Sequence, residues 1–247
     1  MGKKIYYSQY GQDKFLNENV FNGNKGFFLE MGADDGITHS NTLFFEKECN
    51  WTGICVEPRK SAFEKLKVNR QCFCENVCIS NEAKKKAFLD IDGYSSQLSG
   101  LIENYDNKHI ERIQQSNDTS KEIEVDCITI NDLLGKHKIK IIDYFSLDTE
   151  GGELGILSSI NYNDITINCI SVENKYKDPS IKKFLLTKGY RKCTEIAIDE
   201  IFILKNCKYD HYREPISILI NRAFKQKIYR LKQLIKKIIK YDRRQTN

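Results

Sequence analysis

The 247-residue chain lacks the signals that define several common classes. No apolar run reaches the roughly 20 residues needed to cross a bilayer. Met1–Tyr7 carries lysines and no apolar segment, so no secretory leader is expected. There is no Gly-x-x-x-x-Gly-Lys-Ser/Thr, which excludes a P-loop, and no Gly-x-Gly-x-x-Gly, which leaves a dinucleotide site without support. No Cys-x-x-Cys pair occurs among the nine cysteines. Their odd number, and the apolar settings of Cys55, Cys127 and Cys169, fit small reduced core residues better than zinc ligands or disulfides, and so a cytoplasmic setting.

The body has no excess of basic residues; the positive excess lies in the tail. The formal net charge is +5, but Arg213–Asn247 holds eleven basic and two acidic residues, leaving 28 basic and 32 acidic residues before it. A mildly acidic body makes nucleic acid an unfavoured partner. Within the tail, Ile216, Ile220, Phe224, Ile228, Leu231, Ile235 and Ile238 recur at intervals of three and four among lysines and arginines. That spacing predicts a basic amphipathic helix over 213–241, suited to an anionic membrane surface or to self-association. The expected organisation is one domain over 1–210 and a helical tail over 213–247.

The stretch from Gly26 to Gly36 organises the body. Phe27, Phe28 and Leu29 form an apolar run that ends in Glu30 and breaks into a turn bracketed by Gly32 and Gly36. This is the pattern of a buried parallel strand delivering a glycine loop to the carboxyl edge of a sheet, with bare backbone open to a ligand. A second short strand, Gly53–Glu57, also ends in an acid. A carboxylate there is placed to accept hydrogen bonds from ribose hydroxyls, and the neighbouring Arg59 leaves a phosphorylated ribose open.

Further strands are expected at 72–79, 86–92, 122–127, 141–147 and 168–172, with a closing hairpin over 190–196 and 200–204. Helices are expected over 41–48, 58–69 (packing through Phe63, Leu66 and Lys67), 129–134, 153–160 and 179–188. Residues 80–121 read as a polar insertion lying over the sheet edge where a substrate would enter. The order predicts a three-layer, doubly wound α/β domain with a mostly parallel sheet and a carboxyl-terminal antiparallel hairpin.

Four segments in order, Tyr7-Ser-Gln-Tyr-Gly-Gln-Asp13, Phe28–Gly36 with Ser40-Asn-Thr42, Val56-Glu-Pro58 and Phe145–Glu153, resemble the FkbM-type S-adenosylmethionine-dependent methyltransferases. The resemblance spans residues 7–205. It departs from the family at Glu30, where aspartate is more usual, and at Gly152, where alanine is frequent. It implies a seven-stranded class I methyltransferase sheet whose last strand is antiparallel.

On that resemblance, Glu30 and the turn at Gly32, Ala33, Asp35 and Gly36 would hold the methionine and ribose end of the donor. Gln12, Ser40 and Asn41 would meet its amino-acid carboxylate, Glu57 with Pro58 the ribose diol, and Asn76 and Val77 the adenine. Asp148 is the expected base toward an acceptor hydroxyl, with Glu150 second. For Glu150 and Glu153 the plainer role is to favour the positive end of the following helix. His39, beside the glycine turn, is either an alternative base or a surface histidine.

Ser95, Ser96, Gln97, His109 and Glu173 would border the acceptor. A divalent ion on Asp148, Glu150 and Glu173 is a less favoured alternative. The implied activity is O-methylation of a carbohydrate acceptor, such as a nucleotide-sugar, capsule or surface-glycan precursor, in the cytoplasm or at the inner face of the membrane. The alternatives are methylation of an RNA ribose, or a non-catalytic donor-binding scaffold held at a membrane by its tail.

Overall fold

The computed structural model describes residues 4–116 and 118–213; beyond Arg213, the predicted basic helix lies outside the described residues. Helix α1 (Gln12–Leu16) widens into a π turn through Phe21, and the chain reverses at Asn22 and Gly23, both at positive φ. Regular alternation follows with β1 (Phe27–Met31), α2 (Leu43–Cys49), β2 (Thr52–Val56), α3 (Lys60–Asn69) and β3 (Phe73–Glu75). An inserted region holds β4 (Cys78–Ile79), β5 (Lys85–Asp92), β6 (Gly100–Leu101), α4 (Asn107–Gln115) and β7 (Thr119–Ile128). Alternation resumes with α5 (Ile130–Lys136), β8 (Ile141–Leu147), α6 (Glu153–Ser159), β9 (Thr166–Glu173), α7 (Pro179–Thr187), β10 (Tyr190–Ile196) and β11 (Asp199–Leu204).

Seven strands form the main sheet in the order β10-β11-β9-β8-β1-β2-β3. β11 alone runs antiparallel to its neighbours. β1 lies between β2 and β8, with Leu29 level with Ile54 on one side and Phe145 on the other. Strand order therefore reverses between β1 and β8, and the carboxyl ends of those two strands form the crevice in which an open α/β sheet binds its ligand.

Alternate residues of the central strands face opposite layers. Leu29, Met31, Ile54, Val56, Phe145 and Leu147 pack with Leu133, Leu134, Ile156, Leu157, Ile181 and Leu185 from α5, α6 and α7. On the opposite layer Phe21, Phe45, Trp51, Tyr144 and Tyr209 form a cluster with ring centroids 4.9–5.8 Å apart. Asp143 beneath this cluster is satisfied by the Tyr209 hydroxyl at 3.0 Å and by the Phe27 N–H at 2.9 Å. All nine cysteines are free thiols, with Cys55, Cys78, Cys127, Cys169 and Cys193 buried.

Three expectations are corrected. The strand expected over 72–79 is two strands in different sheets. β3 ends at Glu75, the Asn76 side chain donates to the carbonyls of Glu57 (2.9 Å) and Pro58 (3.0 Å), and β4 turns away to pair with β7 in a second sheet, β4-β7-β5-β6. Cys72, Cys74 and Cys78 therefore do not share one strand face. The polar stretch after Glu103 contains α4, capped by the Asp106 carboxylate accepting from the His109 N–H. In α3 the buried residues are Ala62 and Leu66, with Arg70 buried just past its end, whereas Lys67 is exposed with its Nζ 5.2 Å from the Phe63 ring.

Phe45 is fully buried and ringed by the aromatic side chains of Phe21, Phe44, Trp51 and Tyr144. Phe45→Ala is expected to lower stability by about 3–5 kcal/mol, measured as a shift of the urea midpoint at unchanged slope.

Candidate active site

A buried ion pair shapes the crevice. Glu30, near the end of β1, accepts from the Asn41 N–H (2.7 Å), Ser40 Oγ (2.9 Å) and Thr42 Oγ1 (2.6 Å), and pairs with Arg70 Nη1 at 3.1 Å. Arg70, just past α3, also reaches Glu46 (2.7 Å), the Gly36 carbonyl (3.2 Å) and Thr42 Oγ1 (2.8 Å). Both Glu30 oxygens are thus taken by the protein. Glu30 borders the crevice but organises the Ser40–Thr42 loop and does not offer a free carboxylate, which corrects its expected contact with the donor.

The glycine turn is likewise occupied from within. The N–H groups of Gly32 and Ala33 both donate to the Val56 carbonyl at 3.1 Å, that of Gly36 to Ala33 (2.8 Å), and that of Asp34 to Glu57 Oε2 (2.9 Å). A Cβ on Gly32 would strike the Asp148 carbonyl, and one on Gly36 the Leu66 and Arg70 side chains. These glycines serve close approach of chain to chain, at φ of 76° and 81°. The Asp35 carboxylate caps Ile37 and Thr38, and neither Asp35 nor Gly36 borders the crevice.

Glu57, buried past the end of β2, is held by the Arg59 N–H (2.9 Å) and Nε (3.2 Å), and Arg59 also pairs with Asp34. About four acceptor positions exist on a carboxylate. Three donors are already in place, so room remains for one hydroxyl where two were expected. Burial pushes the Glu57 carboxyl up, against the pull of Arg59.

At the end of β8 the acids separate by role. Glu153 accepts from the N–H of Thr149 (3.3 Å) and of Gly151 (2.9 Å), so it closes the turn into α6. Glu150, held at φ 52° ahead of Gly151 and Gly152, also at positive φ, turns the other way. Its Oε2 lies 3.5 Å from His109 Nδ1 and 3.7 Å from both Arg112 Nη1 and Lys175 Nζ. Ligand oxygens of Asp148, Glu150 and Glu173 fall within 4.8 Å of one another. Lys175, 3.2 Å from Glu173, already answers that charge together with Arg112, so the cluster does not call for the divalent ion that was the alternative.

A cavity of about 590 Å³ joins these parts at the carboxyl ends of β1, β2 and β8, within the range of small-molecule sites. Gln12, Glu30, Gly32, Ala33, His39, Ser40, Asn41, Glu57, Pro58, Val77, Asp148, Glu150 and Glu173 border it, as do Ser95, Ser96 and Gln97 from the β5–β6 loop. Asn76 does not; its amide is spent on the Glu57 and Pro58 carbonyls just past β2. His109 faces a smaller cavity of about 310 Å³, its ring stacked 4.2 Å from Tyr105 and its Nε2 3.0 Å from the Leu98 carbonyl. His39 is exposed, and its backbone bridges Ser8 of the amino-terminal segment.

Asp34, Arg59, Lys175 and Asp199 border the cavity and had no place among the site residues expected from sequence. Only Arg59 carried a signal, its place beside Glu57. Asp148 is open to the cavity yet enclosed by the molecule. That enclosure, followed by repulsion from Glu173, Glu150 and Asp199, raises its pKa well above the usual carboxylate value.

Burial, with repulsion from Glu173 set against Lys175 and Arg112, pushes Glu150 up to about 7 from an ordinary 4.5. An acid whose folded pKa exceeds its unfolded value opposes folding once ionised, so this burden is absent below pH 4.5, grows through the interval and is complete above pH 7. Glu150→Gln is expected to match the parent at pH 4 and to exceed it at pH 8 by on the order of 3 kcal/mol, read from urea denaturation at the two pH values.

A methyltransferase FkbM from Methylobacillus flagellatus KT is 11% identical with a TM-score of 0.43, the match covering 72% of this chain and 43% of that one. This chain thus spans less than half the length of that protein. M. capricolum TrmK, solved with its cofactor product S-adenosyl-homocysteine, is 12% identical at a TM-score of 0.40 over 85% of this chain and 74% of that one. The METTL16 methyltransferase domain is 11% identical at 0.37 over 77% and 62%. No curated protein matches the chain. Residues 30–192, more than half of the sequence, match the model of the methyltransferase FkbM domain, and the chain belongs to that family.

Proposed function

We propose that this methyltransferase uses S-adenosylmethionine and methylates a hydroxyl of a carbohydrate acceptor, such as a nucleotide-sugar or surface-glycan precursor. The observation that carries the reading is the chemistry of the cavity wall. The N–H groups of Gly32, Ala33, Asp34 and Gly36 are consumed internally, so the turn offers no nest for phosphate. What borders the space is rich in acceptors: Glu57, Asp148, Glu150, Glu173 and Asp199. Acids outnumber the cations Arg59, Arg112 and Lys175 on this wall, which suits a cationic donor and the hydroxyls of a sugar; it disfavours the phosphate that an RNA strand carries at every residue more than the single diphosphate of a nucleotide-sugar.

The residues present fit the donor. The remaining acceptor position on Glu57 takes a ribose hydroxyl, and Val77, Ile79 and Phe88 supply an apolar wall for adenine. Asn41 Oδ1, a buried acceptor without a hydrogen-bond partner, borders the same cavity. Bound there, the sulfonium donor supplies a methyl group whose bond to sulfur breaks to leave a neutral thioether.

The protein's part is alignment and proton removal. Asp148 at the end of β8 accepts the acceptor's hydroxyl proton as its oxygen becomes bonded to the methyl carbon. A raised pKa makes its carboxylate the stronger base once ionised. Glu150 stands next to it as the second acid, and Ser95, Ser96 and Gln97 offer hydrogen bonds to the sugar.

Two variants test this reading by calorimetry with S-adenosylhomocysteine and by transfer of labelled methyl to a panel of nucleotide-sugars. Glu57→Ala is expected to weaken the homocysteine product at least about tenfold. Asp148→Asn is expected to retain that affinity while kcat falls about 10²–10⁴-fold. A wild-type protein that binds neither donor nor product overturns the reading.

A further inference from the structure

Each acid of the cavity wall can be asked which cation answers it. Arg70 answers Glu30, Arg59 answers Glu57 and Asp34, and Lys175 answers Glu150 and Glu173. Asp148 is open to the cavity. Asp199 is different. It begins β11 opposite Glu173, it is buried, and it borders the cavity.

The donors that hold Asp199 are neutral: Gln12 Nε2, 2.7 Å from Oδ2, and the Ser171 hydroxyl. No lysine or arginine among the described residues lies within ion-pair distance of it. The nearby lysines are bonded elsewhere, Lys177 to Glu195 and Lys192 to Glu195 and Glu200, so Lys177 attracts Asp199 only from a distance and without a direct contact. A buried carboxylate left without a counter-ion is a costly arrangement unless a ligand completes it.

We infer that Asp199, positioned by Gln12 of the amino-terminal segment, is the counter-charge for the α-ammonium group of the donor's amino-acid portion. The inference rests on the donor reading above. An ammonium group carries three N–H donors and no acceptor, which complements a carboxylate that already has neutral partners. The sulfonium centre cannot hydrogen-bond, so the contact belongs to the amino-acid end and persists in the product. The arrangement also gives Gln12 a purpose that a carboxylate-binding role did not: its amide is spent on orienting Asp199.

The test compares two probes in calorimetry, S-adenosylhomocysteine, which carries the ammonium, and 5′-methylthioadenosine, which lacks the amino-acid portion. Asp199→Asn is expected to weaken the first about tenfold to a hundredfold and to leave the second unchanged. Asp199→Glu, which keeps the charge, is expected to recover part of the loss. Unchanged affinity for S-adenosylhomocysteine, or an equal loss on both probes, overturns the inference while the donor reading stands. A wild-type protein that binds neither probe removes the donor reading and this inference with it.

Discussion

The arrangement of the crevice depends on one guanidinium with no exposed surface. Arg70 reaches Glu30 on β1, Glu46 on α2, the Gly36 carbonyl in the turn, and the Ser40 and Thr42 hydroxyls. Charges taken out of water hold only when nearly every hydrogen-bonding position is met, and here the fork of Nε, Nη1 and Nη2 meets separate partners in different directions. A lysine ammonium, a single point of charge, has no such reach. Because those partners belong to a strand, a helix and the loop between them, the ion pair fixes where the chain may go after β1. The Phe28 ring under the guanidinium, 5.3 Å away, closes the site to water from below.

What the crevice can bind follows from that fixation. A turn pulled inward onto the Val56 carbonyl and Glu57 has spent the N–H groups that a phosphate would need. Carboxylates and carbonyls are left at the surface of the cavity, and the acids arrive in two kinds. Glu30, Glu57 and Asp34 are bound to arginines and act as framework. Asp148 and Asp199 have no such partner, and loss of solvent around their carboxyls together with repulsion from Glu173 raises both. The first kind sets shape; the second is available for a proton or a cation.

The central strands were legible in the sequence because each is a short apolar run ended by an acid or a glycine, a signal contained within a few residues. The acids at the ends of β2 and β8 came from such runs, and the seven-stranded sheet with its antiparallel last strand from the family resemblance. Arg70 was not legible. It follows α3 with nothing local to distinguish it from a surface arginine, and its partners come from elements far away in sequence. The split of the expected third strand was hidden for a similar reason, since pairing with β7 decides where Cys78 and Ile79 go. Glu150 and Glu153 looked equivalent on the page; backbone conformation at Glu150 separates them, and a sequence does not display φ. Asp199 directly follows a hairpin turn, where an acid is ordinary.

Gly32 ties the two halves of the proposed chemistry together. The Asp148 carbonyl occupies the position a Cβ at residue 32 would need, so the end of β8 sits directly against the start of the turn. The turn borders the proposed donor site and the end of β8 carries the proposed base. Their separation is therefore set by contact between backbones and not by a flexible side chain. Any side chain at residue 32 would push them apart by more than the roughly 1 Å at which aligned transfer loses much of its advantage. The positive φ there adds a second reason for glycine, but the contact is the stricter one. Asparagine tolerates the left-handed region, yet it carries the same Cβ.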